Sequence, residues 1–160
     1  MDEPSTRVHA LLLERGETVA TAESLTGGQL AARLTDAPGA SKTYLGGVVA
    51  YATSVKVAVL RVPEALVEEH GVISSECALA MARGAVGVTG ATWGIATTGV
   101  AGPDEQEGHP PGTVHVGLVG PGVSTTLALE LVGDRAAIQD RTCREALSAL
   151  AGMLSRPEGG

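Results

Sequence analysis

The chain has 160 residues, of which 44% are hydrophobic, so it is long and apolar enough for one globular domain with a core of its own. The formal net charge of −7 and the lack of clustered Lys and Arg disfavour binding to nucleic acid. No apolar run approaches the roughly 18 residues of a membrane span, and the acidic start MDEPSTR does not resemble a signal peptide. We therefore expect a cytoplasmic protein with neither nucleic acid nor a membrane as partner.

The two cysteines indicate no metal site. Cys77 and Cys143 lie far apart, each within a helical pattern, and no histidine cluster accompanies them. We expect both to be buried, reduced thiols.

Helical and strand patterns alternate along the chain, and turn residues separate them. In order, we expect a helix from Ser5 or Thr6 to Gly16, a strand over 17–22, a turn over 23–28, a helix over 29–35, a strand over 43–51, short helices over 52–62 and 63–70, a helix from Ser74 or Ser75, a strand over 92–99, a loop over 99–112, a hairpin over 113–133 and a last helix capped by Asp134.

This alternation predicts an α/β fold with a mixed sheet of about five strands and helices on both faces. A flexible tail is expected over 155–160. Ligands of such sheets bind beyond the carboxyl ends of the strands. The loop over 99–112, dense in Gly, Pro and acidic residues, is long enough to be either functional or mobile.

The turn over 23–28 is the first candidate site. Ser24 follows a strand and precedes a helix N-terminus, where free N–H groups favour an anion or a developing oxyanion. Gly27 and Gly28 permit close approach of a substrate. The motif is neither a Walker A loop nor G-x-S-x-G, and the alternative is that Ser24 or Thr26 serves only as a helix cap.

Lys56, five residues after Tyr51, is a candidate base for a serine nucleophile, provided that burial lowers its pKa. The alternative is a solvated surface lysine. The histidines offer no better base: His9 and His70 lie in helices and His115 on an exposed strand face, while His109 lies in the long loop and could swing in.

Seven blocks follow one another in the order and spacing of a known family: TAESLTGG, LTDAPGAS, YLGGVVAY with Lys56 after it, VEEHGVIS, TTGVAGPD, PGTVHVGL and GDR. Over residues 6–151 the chain resembles the CinA C-terminal domain family. The resemblance implies a three-layer α/β/α sandwich, a single domain over 1–154, and hydrolysis of nicotinamide mononucleotide to nicotinate mononucleotide and ammonia. It implies no metal and no organic cofactor, a small nucleotide substrate as ligand, and a homodimer.

The resemblance also implies roles for individual residues. Ser24 would be the nucleophile, Lys56 the base, and Tyr51 a hydrogen-bond partner of either one. Backbone N–H groups near 26–28 would hold the oxyanion. The other implied residues contact the substrate: Thr26, Gly27, Gly28, Ser41, Thr98, Gly99, Ala101, Gly102 and, for the phosphate, Arg135. A surface ion pair is the alternative for Arg135.

The chain departs from the family pattern at three places. Thr53 stands where an Asn is common, Gln139 where an Arg is common, and the segment over 103–110 reads PDEQEGHP in place of a Gly-rich stretch with a Lys. An alternative function is a non-catalytic nucleotide-binding regulatory module, and another is an amidase for a different small amide.

Overall fold

A computed structural model describes residues 3–157, which fold around one five-stranded sheet. In chain order the elements are α1 (Pro4–Arg15), β1 (Val19–Glu23), α2 (Gln29–Thr35), one turn of 3-10 helix (Ala40–Lys42), β2 (Tyr44–Val49), α3 (Thr53–Ala58), α4 (Glu64–His70), α5 (Ser75–Thr89), β3 (Trp93–Gly99), β4 (Thr113–Gly120), β5 (Val123–Glu130) and α6 (Arg135–Leu154).

The strand order is β2-β1-β3-β4-β5, with β1 parallel to both neighbours and β4 and β5 added as an antiparallel hairpin. Strands β1 and β3 are buried along their whole length because helices cover both faces of the sheet. The predicted mixed sheet of five strands is confirmed. Its parallel strands place their carboxyl ends, at Glu23, Val49 and Gly99, along one edge.

Two apolar clusters separate the three layers. On one face α1, α2 and α6 pack on the sheet through residues such as Leu12, Leu30 and Leu147. On the other face α5 and the shorter helices pack through residues such as Leu60 and Met81. This arrangement is the expected three-layer sandwich, and its core contains mainly aliphatic side chains, as a chain without Phe requires.

Several local predictions need correction. Helix α1 begins at Pro4 after Glu3, not at a Ser or Thr cap, because proline is favoured in the first helical turn. Strand β1 includes Glu23, which the sequence assigned to the turn. Helix α3 ends at Ala58, before Arg61, whose backbone adopts a left-handed conformation. His115 is half-buried, and its ring contacts Ser75 Oγ at 3.1 Å, because α5 covers this part of β4.

The first helix contacts the segment that follows the last helix. Arg7 of α1 donates to Ser155 Oγ at 3.1 Å, just after α6. The predicted flexible tail over 155–160 is thus hydrogen-bonded at its first residue, while residues 158–160 lie outside the described part of the chain, as do residues 1 and 2 of the predicted domain.

Cys77 and Cys143 are free and buried, as predicted, and burial raises the pKa of the first thiol to about 11 and of the second to about 12. Among residues 3–157, no helix combines the length and apolarity that crossing a membrane requires.

Candidate active site

The turn after β1 is organised by Glu23, whose side chain is fully buried. Its carboxylate accepts hydrogen bonds from the N–H groups of Leu30 at 2.8 Å and Ala31 at 3.0 Å, and from Thr26 Oγ1 at 2.6 Å. Glu23 thus satisfies the first N–H groups of α2, which otherwise lack partners. The alternative that Ser24 or Thr26 caps α2 is wrong, since Gly28 occupies the cap position and has no side chain.

Because Glu23 takes over the capping, the Ser24 hydroxyl is available at the edge of the sheet. The Ser24 N–H donates to the Thr97 carbonyl at 3.0 Å, which continues the pairing of β1 with β3 by one residue. The Ser24 carbonyl accepts from the Gly27 N–H at 3.0 Å and closes the turn. Both bonds fix the backbone on either side of the hydroxyl, which faces Lys56.

Lys56 is 1% exposed although it lies on α3, a helix of six residues at the surface. Its Nζ donates to Ser24 Oγ at 3.1 Å, to the Ala50 carbonyl at 2.7 Å and to the Tyr51 carbonyl at 3.2 Å. Within the described residues it forms no ion pair. The alternative of a solvated surface lysine is therefore wrong, because β2 ends beside β1 and turns α3 inward over Ser24.

Burial lowers the pKa of Lys56 from its ordinary value, because removal from water disfavours the charged ammonium. Cys77 and Glu107 oppose this effect through smaller electrostatic contributions. The direction of the net shift favours the neutral amine, which is the form that can accept a proton.

Beside Ser24 lies a pocket of about 360 Å³ at the carboxyl edge of the sheet. The long loop between β3 and β4 forms one wall, and the start of α6 forms another. The lining residues are Ser24, Leu25, Tyr51, Gly99, Val100, Ala101, Gly102, Pro103, Asp104, Glu105, Gln106 and Arg135. A larger groove of about 610 Å³ lies between α5 and the segment over 58–66, and neither Ser24 nor Lys56 lines it.

Arg135 crosses the mouth of this pocket. Its guanidinium donates to the Gly102 carbonyl at 2.7 Å and to the Tyr51 hydroxyl at 2.9 Å. In the described chain it pairs with no carboxylate, so the alternative of a surface ion pair does not hold. Tyr51 is hydrogen-bonded to Lys56, as predicted, but through its backbone carbonyl; its hydroxyl accepts from Arg135 instead, and the residue is 62% exposed.

Five of the predicted substrate contacts do not line the pocket: Ser41, Thr26, Thr98 and the two turn glycines, Gly27 and Gly28. Ser41 lies before the amino end of β2, whereas Ser24 follows the carboxyl end of β1; six strand residues span about 20 Å, so a single chain does not bring the two together. Thr26 and Thr98 are fully buried. The Thr26 hydroxyl contacts Glu23, and the Thr98 hydroxyl donates to the Val72 carbonyl at 2.7 Å.

The two glycines of the turn are also committed. The Gly27 N–H donates to the Ser24 carbonyl, and the Gly28 N–H to Glu23 at 3.3 Å. Of the oxyanion donors predicted over 26–28, the two glycine N–H groups are thus occupied, whereas the N–H groups of Thr26 and of the preceding Leu25 donate to no acceptor within residues 3–157.

Sequence reasoning missed two groups that hold the turn. One is Glu23, for which the available signal was a single charged residue at the end of an apolar strand. The other is Gln139 of α6, whose Nε2 donates to the Leu25 carbonyl at 2.8 Å. The one signal at Gln139 in the sequence is its departure from the family pattern. Over residues 3–157, no group of three or more His, Cys, Asp and Glu side chains is placed to hold a metal ion.

The fold and the site together define a class: a mixed α/β domain that places a buried lysine against a serine at the carboxyl edge of its sheet. The sequence model of the CinA C-terminal domain family matches residues 1–154, and the chain belongs to that family.

The relatives support this assignment. A CinA-like protein of Frankia casuarinae is 50% identical over 148 residues, which are 92% of this chain and 34% of that protein. A putative competence-damage inducible protein of Bacillus subtilis is 44% identical over 80% of this chain and 31% of its own length. The chain thus spans about a third of the curated relatives that it matches.

Solved structures agree in fold. A CinA superfamily protein of Klebsiella pneumoniae superposes with a TM-score of 0.93 at 36% identity, covering 96% of both chains. A competence/damage inducible protein of Agrobacterium tumefaciens gives a TM-score of 0.88 at 29% identity, covering 98% of both.

Proposed function

We propose that this domain is an amidase of the Ser/Lys type that hydrolyses the carboxamide of nicotinamide mononucleotide to nicotinate mononucleotide and ammonia. The observation that supports the proposal is the buried Lys56 Nζ at 3.1 Å from Ser24 Oγ. The choice of substrate rests on the family resemblance and on the one cation at the pocket mouth, Arg135.

The surroundings of Lys56 suit a general base. A neutral amine has two N–H donors and one lone pair. The carbonyls of Ala50 and Tyr51 accept the two donors, which leaves the lone pair for the Ser24 hydroxyl. Because burial lowers the pKa of Lys56, this neutral form is populated at a lower pH than in a solvated lysine.

The proposed reaction has two stages, acylation of Ser24 and hydrolysis of the acyl-enzyme. As Ser24 Oγ bonds to the carboxamide carbon, its proton passes to Lys56 and the carbonyl electrons move to oxygen. In this proposal the N–H groups of Leu25 and Thr26, which donate to no acceptor within residues 3–157, stabilise the oxyanion; the residue after a nucleophile supplies such a donor in other hydrolases. The C–N bond breaks, and Lys56 returns the proton to the leaving nitrogen as ammonia forms. Water, deprotonated by Lys56, next cleaves the ester and releases the acid and Ser24.

Arg135 is the group that we assign to the phosphate. It is the first residue of α6, where the helix N-terminus adds a partial positive charge, and its present acceptors are neutral oxygens. A phosphate dianion that offered charge-assisted hydrogen bonds would replace the Tyr51 hydroxyl as partner.

The test is ammonia release from nicotinamide mononucleotide by the purified protein and by Ser24→Ala and Lys56→Ala. We expect turnover by the wild type and a loss of about a thousandfold or more in kcat for both variants, since they act as one unit. Lys42→Ala and Ser148→Ala, which change exposed residues away from the pocket, serve as matched controls and should retain full activity.

Two outcomes would contradict the proposal. A wild type that releases no ammonia, yet melts at a higher temperature with the nucleotide present, is a non-catalytic binding module. A wild type that turns over only other small amides has a different substrate.

A further inference from the structure

The pocket wall over 103–106 belongs to the loop that departs from the family pattern, and one side chain ties this loop to the body of the domain. The Glu107 carboxylate accepts hydrogen bonds from the Val72 N–H at 3.1 Å and from the Ile73 N–H at 2.9 Å. Both donors lie in the turn between α4 and α5. Glu107 directly follows the four residues that line the pocket.

The anchor point is rigid. Val72 and Ile73 are each 3% exposed. The Val72 carbonyl accepts from Thr98 of β3 at 2.7 Å, so this turn is held by the central sheet. A Cβ at Gly71 would lie 2.8 Å from Glu107 Oε1, which shows how closely the carboxylate approaches the turn.

The backbone of Glu107 indicates that its side chain determines its place. Its φ is +52°, in the left-handed region that non-glycine residues other than Asn and Asp seldom occupy. Within this loop, Gln106 and His109 pair through two backbone hydrogen bonds and close a tight turn around residues 107 and 108. The turn directs the Glu107 carboxylate toward Val72.

We propose that Glu107 is a positioning residue of the candidate active site: its carboxylate fixes the pocket wall over 103–106 against the turn between α4 and α5. The consequences for catalysis rest on the proposed amidase function, whereas the anchoring itself does not. When the carboxylate is removed, the wall moves away from Ser24, and a substrate held between this wall and Arg135 binds less tightly.

The Glu107 carboxylate also raises the pKa of Lys56, the proposed base, against the larger effect of burial. The ionisable groups that influence Lys56 are Cys77 of α5 and Glu107, while Glu23 lies on the opposite face of the sheet and is bonded to α2. Since burial raises the pKa of Cys77 to about 11, that thiol is neutral near pH 7 and adds no negative charge beside Lys56. A negative charge holds a proton on Lys56, so its removal should lower the pKa of Lys56 and move the acidic limb of kcat/KM to lower pH.

Two variants separate these effects. Glu107→Asn suits the left-handed backbone but is too short to reach both N–H groups, and Glu107→Gln keeps the length and removes the charge. Glu68→Gln removes one exposed charge from α4 and is the control. Hydrogen exchange of the backbone amides is measured first, because it requires no substrate, followed by kcat and KM against pH.

For Glu107→Asn we expect at least about tenfold faster exchange at residues 72, 73 and 106, whose N–H groups are hydrogen-bonded, with KM raised about tenfold and kcat changed less than about threefold. Glu107→Gln should show the shift of the acidic limb, and the control neither effect. Unchanged exchange at residues 72, 73 and 106 in Glu107→Asn would overturn the anchoring. An inactive wild type would refute the amidase instead, and the exchange data would still decide the role of Glu107.

Discussion

A buried lysine without a carboxylate partner is unfavourable to the folded state, and Lys56 is such a residue among those described. Its three hydrogen-bond partners are a hydroxyl and two carbonyls, which stabilise an ammonium less than an ion pair would. Proteins keep such groups where function requires them. Lys56 thus links stability, pH and the proposed chemistry in one residue.

This linkage predicts how stability depends on pH. Because the pKa of Lys56 is lower in the folded state than its ordinary value of 10.5, the unfolded chain binds the extra proton between the two values. The free energy of unfolding therefore gains from rising pH in that window. At pH 7 the wild type has not yet gained this stability, whereas Lys56→Met has no amine to titrate at this position. We therefore expect the variant to melt at a higher temperature than the wild type at pH 7, by a margin that shrinks toward pH 10.

The single Trp93, which is 2% exposed, provides the fluorescence signal for these melts. Ionisation of Cys143 affects wild type and variant alike and cancels in the difference, whereas Cys77 interacts with Lys56, so the comparison stays at pH 10 and below, where burial keeps the Cys77 thiol of the folded protein mainly neutral. Lys42→Met, which changes the chain's other lysine at an exposed site, should show a margin that does not vary with pH. Parallel pH curves for wild type and Lys56→Met would show that Lys56 stays protonated in the folded state.

At the scale of elements, α2 depends on a side chain that precedes it by several residues. With only seven residues it is too short to be stable alone, and its cap position is a glycine. The buried Glu23 carboxylate supplies the acceptors instead, and Thr26 and Thr97 extend this network to β3 at 2.8 Å. One residue therefore joins β1, the Ser24 turn and α2.

Replacing Glu23 should lower the free energy of unfolding. Glu23→Ala leaves the buried N–H group of Leu30 and the half-buried N–H group of Ala31 without acceptors, and we expect a loss of about 2–4 kcal/mol in the free energy of unfolding. Glu23→Gln, which retains one acceptor oxygen, should lose less. The measurement is denaturant unfolding, with Glu14→Ala on the exposed side of α1 as the control, expected within about 0.5 kcal/mol of wild type. A Glu23→Ala variant as stable as this control would refute the capping role.

At the scale of the whole molecule, α5 lies unusually close to the sheet. A Cβ at Gly94 of β3 would lie 2.3 Å from the Ala82 carbonyl oxygen, and one at Gly117 of β4 would lie 2.3 Å from the Ala78 carbonyl oxygen. Small residues on the helix and glycines on the strands let backbone meet backbone. The many Ala and Gly residues of the chain therefore permit this close contact between helix and sheet.

The close contact predicts opposite effects for two Gly→Ala changes. Gly117→Ala forces the α5 backbone away from β4, and we expect a loss of about 2 kcal/mol or more. Gly87→Ala lies on the same helix with nothing within 4 Å of the added carbon, and should gain about 0.5–1 kcal/mol from helix propensity. Thermal or denaturant unfolding compares the pair directly, and equal stabilities would argue against tight layer packing as a source of stability.

The sequence alone predicted the order of strands and helices along the chain, the mixed sheet and the hairpin. It also predicted the position of Ser24 between β1 and α2. Each of these features depends on periodicity and turn residues within about twenty positions. Lys56 was a candidate base from the residues themselves, and the family blocks added Arg135. What failed locally was the capping of α2, because the acceptor comes from Glu23 in the preceding strand and not from the hydroxyl residues beside the helix.

Only the tertiary structure decided the state of the site. It buries Lys56 against Ser24, which is 32 positions away, and brings Arg135 to Tyr51 across 84 positions. It also keeps Ser41 at the amino ends of the parallel strands, away from Ser24 at their carboxyl ends. Strand order and parallel pairing set these distances, and burial and solvation follow from them. Local pattern fixes which residues can carry the chemistry, whereas packing between distant segments fixes their separations, their exposure to water and hence their pKa values.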